Sequence, residues 1–281
     1  VNYEKLRLLS FVSVFVIVAI WEAVASRRQM VISKSGRWFN NLGIIFLGSI
    51  LLKMIFPMLA LGVAAAAAEK GWGLFHYLQI PSFIAGILSI LLLDLAIYLQ
   101  HLMFHAVPLL WRLHMVHHAD LELDVSSGLR FHPLEIVLSM SIKMAIVAAL
   151  GPPVVAVFIF EVVLNATAMF NHGNIHLPES LDKRLRRWVV TPDMHRVHHS
   201  VIIRETNSNF GFNFPWWDRL FGTYRAAPVA GHAGMTIGLS QFRSVSQVGL
   251  WHLLLMPFRD NPGRYSMKYI GKDPESIKQQ M

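Results

Sequence analysis

The 281-residue chain contains no cysteine, and only 15% of its residues are charged. The first absence excludes disulfides, thiolate zinc sites, iron–sulfur clusters and cysteine nucleophiles. The scarcity of charge, set beside 54% hydrophobic residues and a mean hydropathy of +0.45, argues against a soluble enzyme and for a membrane protein. Acidic residues are the scarcer sign, 17 against 25 Lys and Arg, which leaves a net charge of +8. In so apolar a chain that excess reads as topology signal and lipid-headgroup contact, not nucleic-acid binding. Internal repeats are missing, and the alanines at 64–68 are the one low-complexity tract.

What the chain does have is long apolar runs. A helix that crosses a bilayer needs about 20 apolar residues. Leu6 to Ser26 is one such run, almost uncharged until Glu22 and followed by Arg27, Arg28, Lys34 and Arg37. A second, Leu42 to Ala68, is interrupted by Lys53 and Pro57, which predicts a kinked or tilted helix. A third runs from Ile80 to about His105 with Asp94 near its centre. A fourth, Leu134 to Phe170, is divided by Gly151, Pro152 and Pro153 and reads as a hairpin of two short helices or a re-entrant pair.

The fold expected is all-α, multi-pass, with about four spanning or re-entrant segments. The positive-inside rule applied to the basic loop after the first run puts every histidine cluster on the cytoplasmic side, although Lys5 and Arg7 at the other end of that run pull against it. Ala23 to Ala25 resembles a signal-peptidase site, but the length of the run and the basic residues after it favour a first membrane helix. The chain opens on Val1, which suggests trimming. Three regions are expected: an N-terminal membrane region at 1–79, a catalytic region at 80–230 and a tail at 231–281. Around Leu250 the tail mixes apolar and polar turns, as an amphipathic helix lying on a membrane does.

Ten of the 14 histidines fall in four clusters: His101 and His105; His114, His117 and His118; His172 and His176; His195, His198 and His199. The pattern is HxxxH, HxxHH, HxxxH, HxxHH. Helical residues three or four apart share a face, so each box can present its rings to one place. The HxxHH boxes cover a face wide enough to reach two adjacent ions. Ten imidazoles are too many for one ion and suit a pair. Imidazole suits zinc, copper, iron and nickel, whereas a closed structural zinc site needs only four ligands. A lone histidine is more often a packed core residue, but a cluster of ionisable groups beside membrane spans is costly unless paired or ligated. Of the others, His132 is either a ligand, a partner to one, or structural, and His76, His232 and His252 are isolated and read as structural.

These boxes, together with Arg130 to Glu135, Thr191 to His199, Asn207 to Asn213 and Trp216 to Tyr224, resemble the fatty acid hydroxylase/sterol desaturase superfamily of integral-membrane non-haem di-iron oxygenases. The resemblance covers about residues 80–225 and is specific because four boxes and a later signature occur in order. It implies a membrane stem and a cytoplasmic helical cap holding a dinuclear metal site, with the ten clustered histidines as ligands and two iron ions as cofactor. Zinc or another divalent metal could replace the iron in a purified sample. It also implies oxygen-dependent reactions on lipids: acyl-chain, sterol or carotenoid hydroxylation, sterol desaturation, or alkyl-ether cleavage. Some members carry a fused cytochrome b5 domain. This chain has no room for one, so the implied partners are a lipid, the membrane and a separate electron donor, cytochrome b5-like, ferredoxin or reductase.

The chemistry of the residues agrees. The set lacks the Glu-rich pattern of soluble di-iron bundles, so neighbouring acceptors should orient the rings. Asp94, Asp193 and Asn207 are the leading candidates for that role, followed by Asp124, Glu135, Glu161, Asn165 and Asn209. Asp94 precedes His101 by about two helical turns and so shares its face. The alternatives are caps, salt bridges and, for the asparagines, turn chemistry beside Gly211. Trp216, Trp217 and Tyr224 read as interfacial aromatics, and Lys183 to Arg187 as a headgroup-facing segment or a dock for an acidic electron donor. The function expected is hydroxylation of a lipid C–H bond. Removing a second hydrogen at the same site would make a desaturase, and the ligand set does not choose. A metal carrier would need ligands at several depths of the bilayer, and a zinc hydrolase would need the glutamate of HExxH.

Overall fold

In the computed structural model, which describes residues 2–267, five helical segments are long and apolar enough to cross a membrane. The first is α1 (Tyr3–Val24), capped by Asn2, whose side chain accepts from the Lys5 amide at 3.0 Å. The second begins with α2 (Lys34–Ile55), breaks, and resumes as α3 (Ala60–Lys70) and the short α4 (Leu74–Tyr77). The kink expected at Pro57 is a full break. Pro57 has no N–H to give a helix, and Phe56 before it is held extended at φ −111° and ψ 120°. Both pieces still pack on one neighbour: Leu52, Ala60 and Ala64 share a core with Met140 and Val147. The buried face of α3 is Ala60, Ala64 and Ala67, small residues that let helices approach closely in an apolar medium.

Next come α5 (Ser82–Ala106) and α6 (Pro108–His118), then α7 (Pro133–Leu150) and α8 (Val154–His172). The Gly-Pro-Pro divider is a tight reversal. Gly151 takes the left-handed conformation at φ 64° that ends α7, and Pro153 precedes the first residue of α8. The two arms have 18 and 19 residues, so each is long enough to cross. The segments expected as about four are therefore five.

The ends of these helices gather in one place. The carbonyl of Ala25, just past α1, accepts from His176 just past α8, and Arg37 of α2 reaches the segment after α6. The chain thus brings the end of α1, the start of α2, the end of α5, the start of α7 and the end of α8 to one end of the bundle. Covering that end are α9 (Glu179–Leu185), α10 (Pro192–His198), α11 (Ile203–Thr206), α12 (Trp216–Leu220), α13 (Gly231–Gly234) and α14 (Leu250–Arg259). In α14, Leu253 and Met256 are buried in a core with Trp111 and Met115 of α6 and Ile44 of α2, while Trp251 and Phe258 face out. Helix α14 lies in the segment read as the tail; residues 268–281 of that tail lie outside the described residues.

A buried polar lattice fastens the end. Arg37 donates to Asp120 at 3.0 Å and to Asp124 at 2.8 Å, and Asn41 donates to Ser126 at 2.9 Å. Arg130 donates to the Val116 carbonyl at 2.9 Å and to Asn41 at 3.2 Å. Glu22 accepts from the amides of Val125 at 2.6 Å and Asn174 at 2.9 Å. Buried charges persist only when paired in this way, so the lattice holds α1 and α2 against the loop that joins α6 to α7.

Candidate metal centre

Nine of the ten clustered histidines converge in two buried groups. His101, His105, His114, His118 and His198 form one, and His117, His172, His195 and His199 the other; within each, the donor atoms lie within 4.8 Å of one another. Local structure explains the sorting. On α5, His101 and His105 are one turn apart on the same face. Val107 is extended and Pro108 opens α6, so the chain folds back and turns His114 and His118 towards them. Each HxxHH box then divides its rings. His114 and His118, four apart, join one group while His117 between them joins the other. On α10 and its C-cap residue, His195 and His199 join the second group while His198 crosses to the first. The groups abut: the His118 and His199 rings are 4.6 Å apart and the His114 and His117 rings 5.2 Å.

The outer ring nitrogens decide what the inner ones are. His101 Nδ1 donates to the Phe210 carbonyl at 2.8 Å, His117 Nδ1 to Arg130 at 3.2 Å, His172 Nδ1 to Ala168 at 2.7 Å and His198 Nδ1 to Ser208 at 2.7 Å. A carbonyl can only accept, so the single proton of each neutral ring sits on Nδ1 and Nε2 is bare. His105 Nδ1 meets Asn207 Oδ1 at 3.1 Å, and the Asn207 amide is fixed in that sense by donating to Ile203 and Tyr265 carbonyls at 3.0 and 2.7 Å. His114 Nδ1 meets Glu135 at 2.6 Å.

Bare nitrogens therefore face one another. His117 Nε2 and His172 Nε2 are 3.0 Å apart with no proton between them, and His101 Nε2 and His114 Nε2 are 3.1 Å apart. Lone pairs held that close repel unless a cation lies among them. His172 Nε2 is also 3.0 Å from His195 Nε2 and 3.2 Å from His199 Nε2. Nitrogens about 2.1 Å from a shared ion and at right angles to it would be about 3.0 Å apart. His198 Nε2 is buried without a hydrogen-bond partner, as a donor waiting for a metal would be. Burial, reinforced by the neighbouring rings, holds His117, His118, His195, His198 and His199 well below the usual imidazole range, and burial takes His114 down to about 3. These rings are neutral at pH 7, the state that ligates. The donor set fits metal ions.

Other expected site residues lie elsewhere. His176 is exposed and in neither group. Helix α8 ends at His172, and the extended Gly173 leads to Ile175, which bridges to Ser26, so the four-residue spacing no longer means one face. Asp193 touches no histidine of the groups. It pairs with Arg27 at 3.1 Å and with Arg196, tying α10 to the segment after α1. Asp94 accepts from the Trp217 indole at 2.8 Å and from the Phe214 amide at 3.4 Å, so it anchors the segment before α12. Asn207 does meet a ring, as above. Asn209 stands at φ 54° and bonds only backbone, which is turn chemistry. His132 caps α7 by accepting from the Leu134 amide at 3.2 Å. Asp124 serves Arg37, and Glu161 meets Arg7 and Lys143 at 3.0 and 3.2 Å. A contributor that motif spacing does not single out is Asp218, which accepts from the Phe210 and Gly211 amides at 2.7 and 2.9 Å and so steadies the carbonyl that orients His101.

Membrane-length helices bearing two adjoining polyhistidine groups at one end define an integral-membrane protein with a candidate paired-metal site. Residues 86–223 match the fatty acid hydroxylase family. By this match, over just under half of its length, the chain is similar to the fatty acid hydroxylase family. It is 26% identical to ornithine lipid hydroxylase of Rhizobium tropici over 273 residues, covering 95% of this chain and 79% of that protein. It is 31% identical to alkylglycerol monooxygenase of Danio rerio over 155 residues, 54% of this chain and 34% of that one. It is 28% identical to cholesterol 25-hydroxylase of Mus musculus over 145 residues, 51% of this chain and 47% of that one. The chain thus spans less than half the length of the last two relatives. No solved structure gives a significant match.

Proposed function

We propose that the chain is a membrane-bound non-haem di-iron oxygenase that hydroxylates a C–H bond of a lipid. The observation that carries this reading is the pair of adjoining groups of buried, neutral imidazoles whose bare nitrogens face each other. A group of five nitrogens exceeds the four of a closed zinc site and suits a metal with higher coordination. The relatives are named for action on an ornithine lipid, an alkylglycerol and cholesterol, which supports a lipid substrate and favours hydroxylation over desaturation.

His101, His105, His114, His118 and His198 would hold one iron, and His117, His172, His195 and His199 the other. When bound, such a pair supplies dioxygen activation and the oxidising power to break an unactivated C–H bond. Hydroxylation consumes one dioxygen, two electrons and two protons and releases water, so a separate reductant is needed. Exposed Lys183, Arg184 and Arg187 at the site end offer an acidic donor a complementary surface. Arg27, Arg28 and Lys34 at the same end support a cytoplasmic placement of the site.

The protein's own work is to hold and exclude. The carbonyls of Phe210, Arg130, Ala168 and Ser208 keep the rings in one tautomer. Phe131 stacks on His117 with centroids 4.4 Å apart. Phe212 lies 5.4 Å from the His101 ring and 6.3 Å from the His195 ring, and it packs against the core cluster that includes Val157 and Phe160 of α8. An apolar side chain so placed would align an acyl or sterol chain beside both groups and keep water out.

The test is metal content with Mössbauer spectroscopy on anaerobically purified protein, followed by analysis of lipid products. Two coupled irons per chain and an oxygen-dependent product heavier by one oxygen atom are expected. Zinc alone, unresponsive to oxygen and reductant after reconstitution with ferrous iron, would sink the reading.

A further inference from the structure

At the site end of the bundle a cavity of about 320 Å³ opens between the α1–α2 loop, the 121–123 segment and the 234–237 segment. It is large enough for a lipid headgroup, at the lower limit of the about 300–1,000 Å³ typical of small-molecule sites. We propose that this cavity binds an oxyanion, the phosphate or carboxylate of a lipid headgroup, beside the metal centre. The proposal rests on the reading of the chain as a lipid oxygenase and names the part of the substrate that the histidines do not touch.

Three arginines line the cavity: Arg28, Arg196 and Arg243. Arg28 donates to the carbonyls of His232, of Ala233 at 3.2 Å and of Met235 at 2.9 Å. Arg243 donates to the Ile237 carbonyl at 2.7 Å. Among the described residues neither is ion-paired with a carboxylate. Carbonyls fix the direction of a guanidinium without cancelling its charge. Buried Arg196 is balanced by Asp193, which Arg27 shares. The one carboxylate on the wall, Glu122, is turned to the amides of Val31 at 2.7 Å and Ile32 at 3.3 Å. Setting Arg27, Arg28, Arg196 and Arg243 against Asp193 and Glu122 leaves two positive charges in excess. Burial pushes the Arg28 guanidinium down, against the pull of Glu122, so a bound anion would relieve it. Arginine is the side chain suited to this task, because its planar fork matches a phosphate or carboxylate bidentately.

Position supports the same occupant. Arg196 follows His195, Asn174 on the wall lies two residues past His172, and Gly238 beside the 234–237 segment donates to the His199 carbonyl at 2.9 Å. The cavity therefore shares a wall with the second histidine group. Its other wall is the loop joining two membrane helices, the level at which headgroups lie.

The experiment uses full-length protein in detergent and isothermal titration calorimetry with dihexanoylphosphatidylglycerol, dihexanoylphosphatidylcholine and inorganic phosphate. The anionic lipid should bind about tenfold more tightly than the zwitterionic one. The double variant R28Q/R243Q should lose about tenfold in affinity for the anionic lipid, and R28K, which keeps the charge but not the planar fork, should lose about threefold. Gln29→Glu, which puts a carboxylate at the cavity without removing a hydrogen bond, should weaken binding about threefold with an unchanged melting temperature. Inorganic phosphate binding as tightly as the anionic lipid would assign the cavity to a free oxyanion; weak phosphate binding assigns it to the headgroup. Equal affinity for both lipids, or affinity indifferent to R28Q/R243Q and Gln29→Glu, overturns the proposal. Iron content is read on the same samples. A protein that keeps the charge preference but takes up no iron would lose the oxygenase reading and keep the cavity, and the converse result does the reverse.

Discussion

Glu135 Oε1 lies 2.6 Å from His114 Nδ1, closer than the acceptors of His101, His105, His117, His172 and His198 lie to their rings. It is also the carboxylate in a set otherwise made of carbonyls and one amide. A carboxylate raises the basicity of the imidazole it holds, and losing such a partner typically costs about 10–100-fold in metal affinity. Glu135→Gln keeps the shape and removes the charge. Its metal affinity is expected to fall by about tenfold in a competition with a chromophoric chelator, with secondary structure unchanged. Wild-type affinity in that variant would remove Glu135 from the tuning of the site.

Motif and geometry disagree at His176, and the disagreement can be tested. By spacing it is the partner of His172; in the fold it is exposed and stands outside both groups. His176→Ala is expected to keep full metal content and product formation. His172→Ala, which removes a nitrogen within 3.2 Å of three others, is expected to lose at least one metal ion per chain and all product. Metal analysis on the two variants side by side decides it.

The contrast between these residues shows where reading from sequence stops. Spacing of three and four on a helix points to the ten clustered rings, and nine of them gather in the two groups, because helical geometry sets which face neighbours in a box share. The way each HxxHH box divides between two groups needs α6 to fold back on α5 at Val107 and Pro108, which is tertiary. Asp94 is buried on α5 as His101 is, but Trp217, from a segment 123 residues away, claims its carboxylate. Asp193 sits beside a box and is captured by Arg27 and Arg196. Glu135 ranks behind both in sequence because its ring is 21 residues away, and only the packing of α7 on α6 joins them. The apolar runs announce the spans, whereas the break before Ala60 depends on how Pro57 and Phe56 are accommodated.

The buried rings make stability depend on pH. His114, His117, His118, His195, His198 and His199 are all depressed in the folded chain. When unfolded they bind protons near the ordinary value of about 6.5. The unfolded state therefore takes up more protons below that value, and stability falls as the pH drops through it, levelling off only below the folded values. The metal-free chain is expected to lose melting temperature steadily from about pH 7 to about pH 5. Protons and metal compete for the same nitrogens, so the loaded protein should shed its ions over the same interval. Thermal melts with and without chelator at several pH values check this; a flat metal-free profile would show that the rings are hydrated in solution.

Arg37 is expected to matter for the fold without touching a ring. It holds Asp120 at 3.0 Å and Asp124 at 2.8 Å, all three buried. Burial alone would raise the Asp120 carboxyl, but Arg37 and Arg130 outweigh it and hold the group well below the usual range. Arg37→Met leaves two buried carboxylates short of a cation, a defect that costs about 3–5 kcal/mol. Lys34→Gln removes an exposed cation 3.4 Å from buried Glu22, which keeps its bonds from the Val125 and Asn174 amides, so it should cost less than Arg37→Met. Comparing the two melting temperatures in the same detergent tests the ranking.

Phe212 stands where the apolar interior meets the rings. Its ring lies 5.4 Å from that of His101 in one group and 6.3 Å from that of His195 in the other, and it packs against an apolar core cluster. A side chain so placed cannot ligate, so its truncation should leave metal content alone. What it can do is fill space beside the reacting carbon and keep water from the centre. Phe212→Ala should therefore keep both metal ions and consume oxygen, yet return several-fold less hydroxylated lipid per oxygen consumed, because the substrate carbon is no longer held in reach. Phe212→Leu, which restores most of the volume, should recover most of that ratio. The readout is product formed per oxygen consumed, and a loss of iron in Phe212→Ala would instead mean that the ring supports the ligands and does not position the lipid.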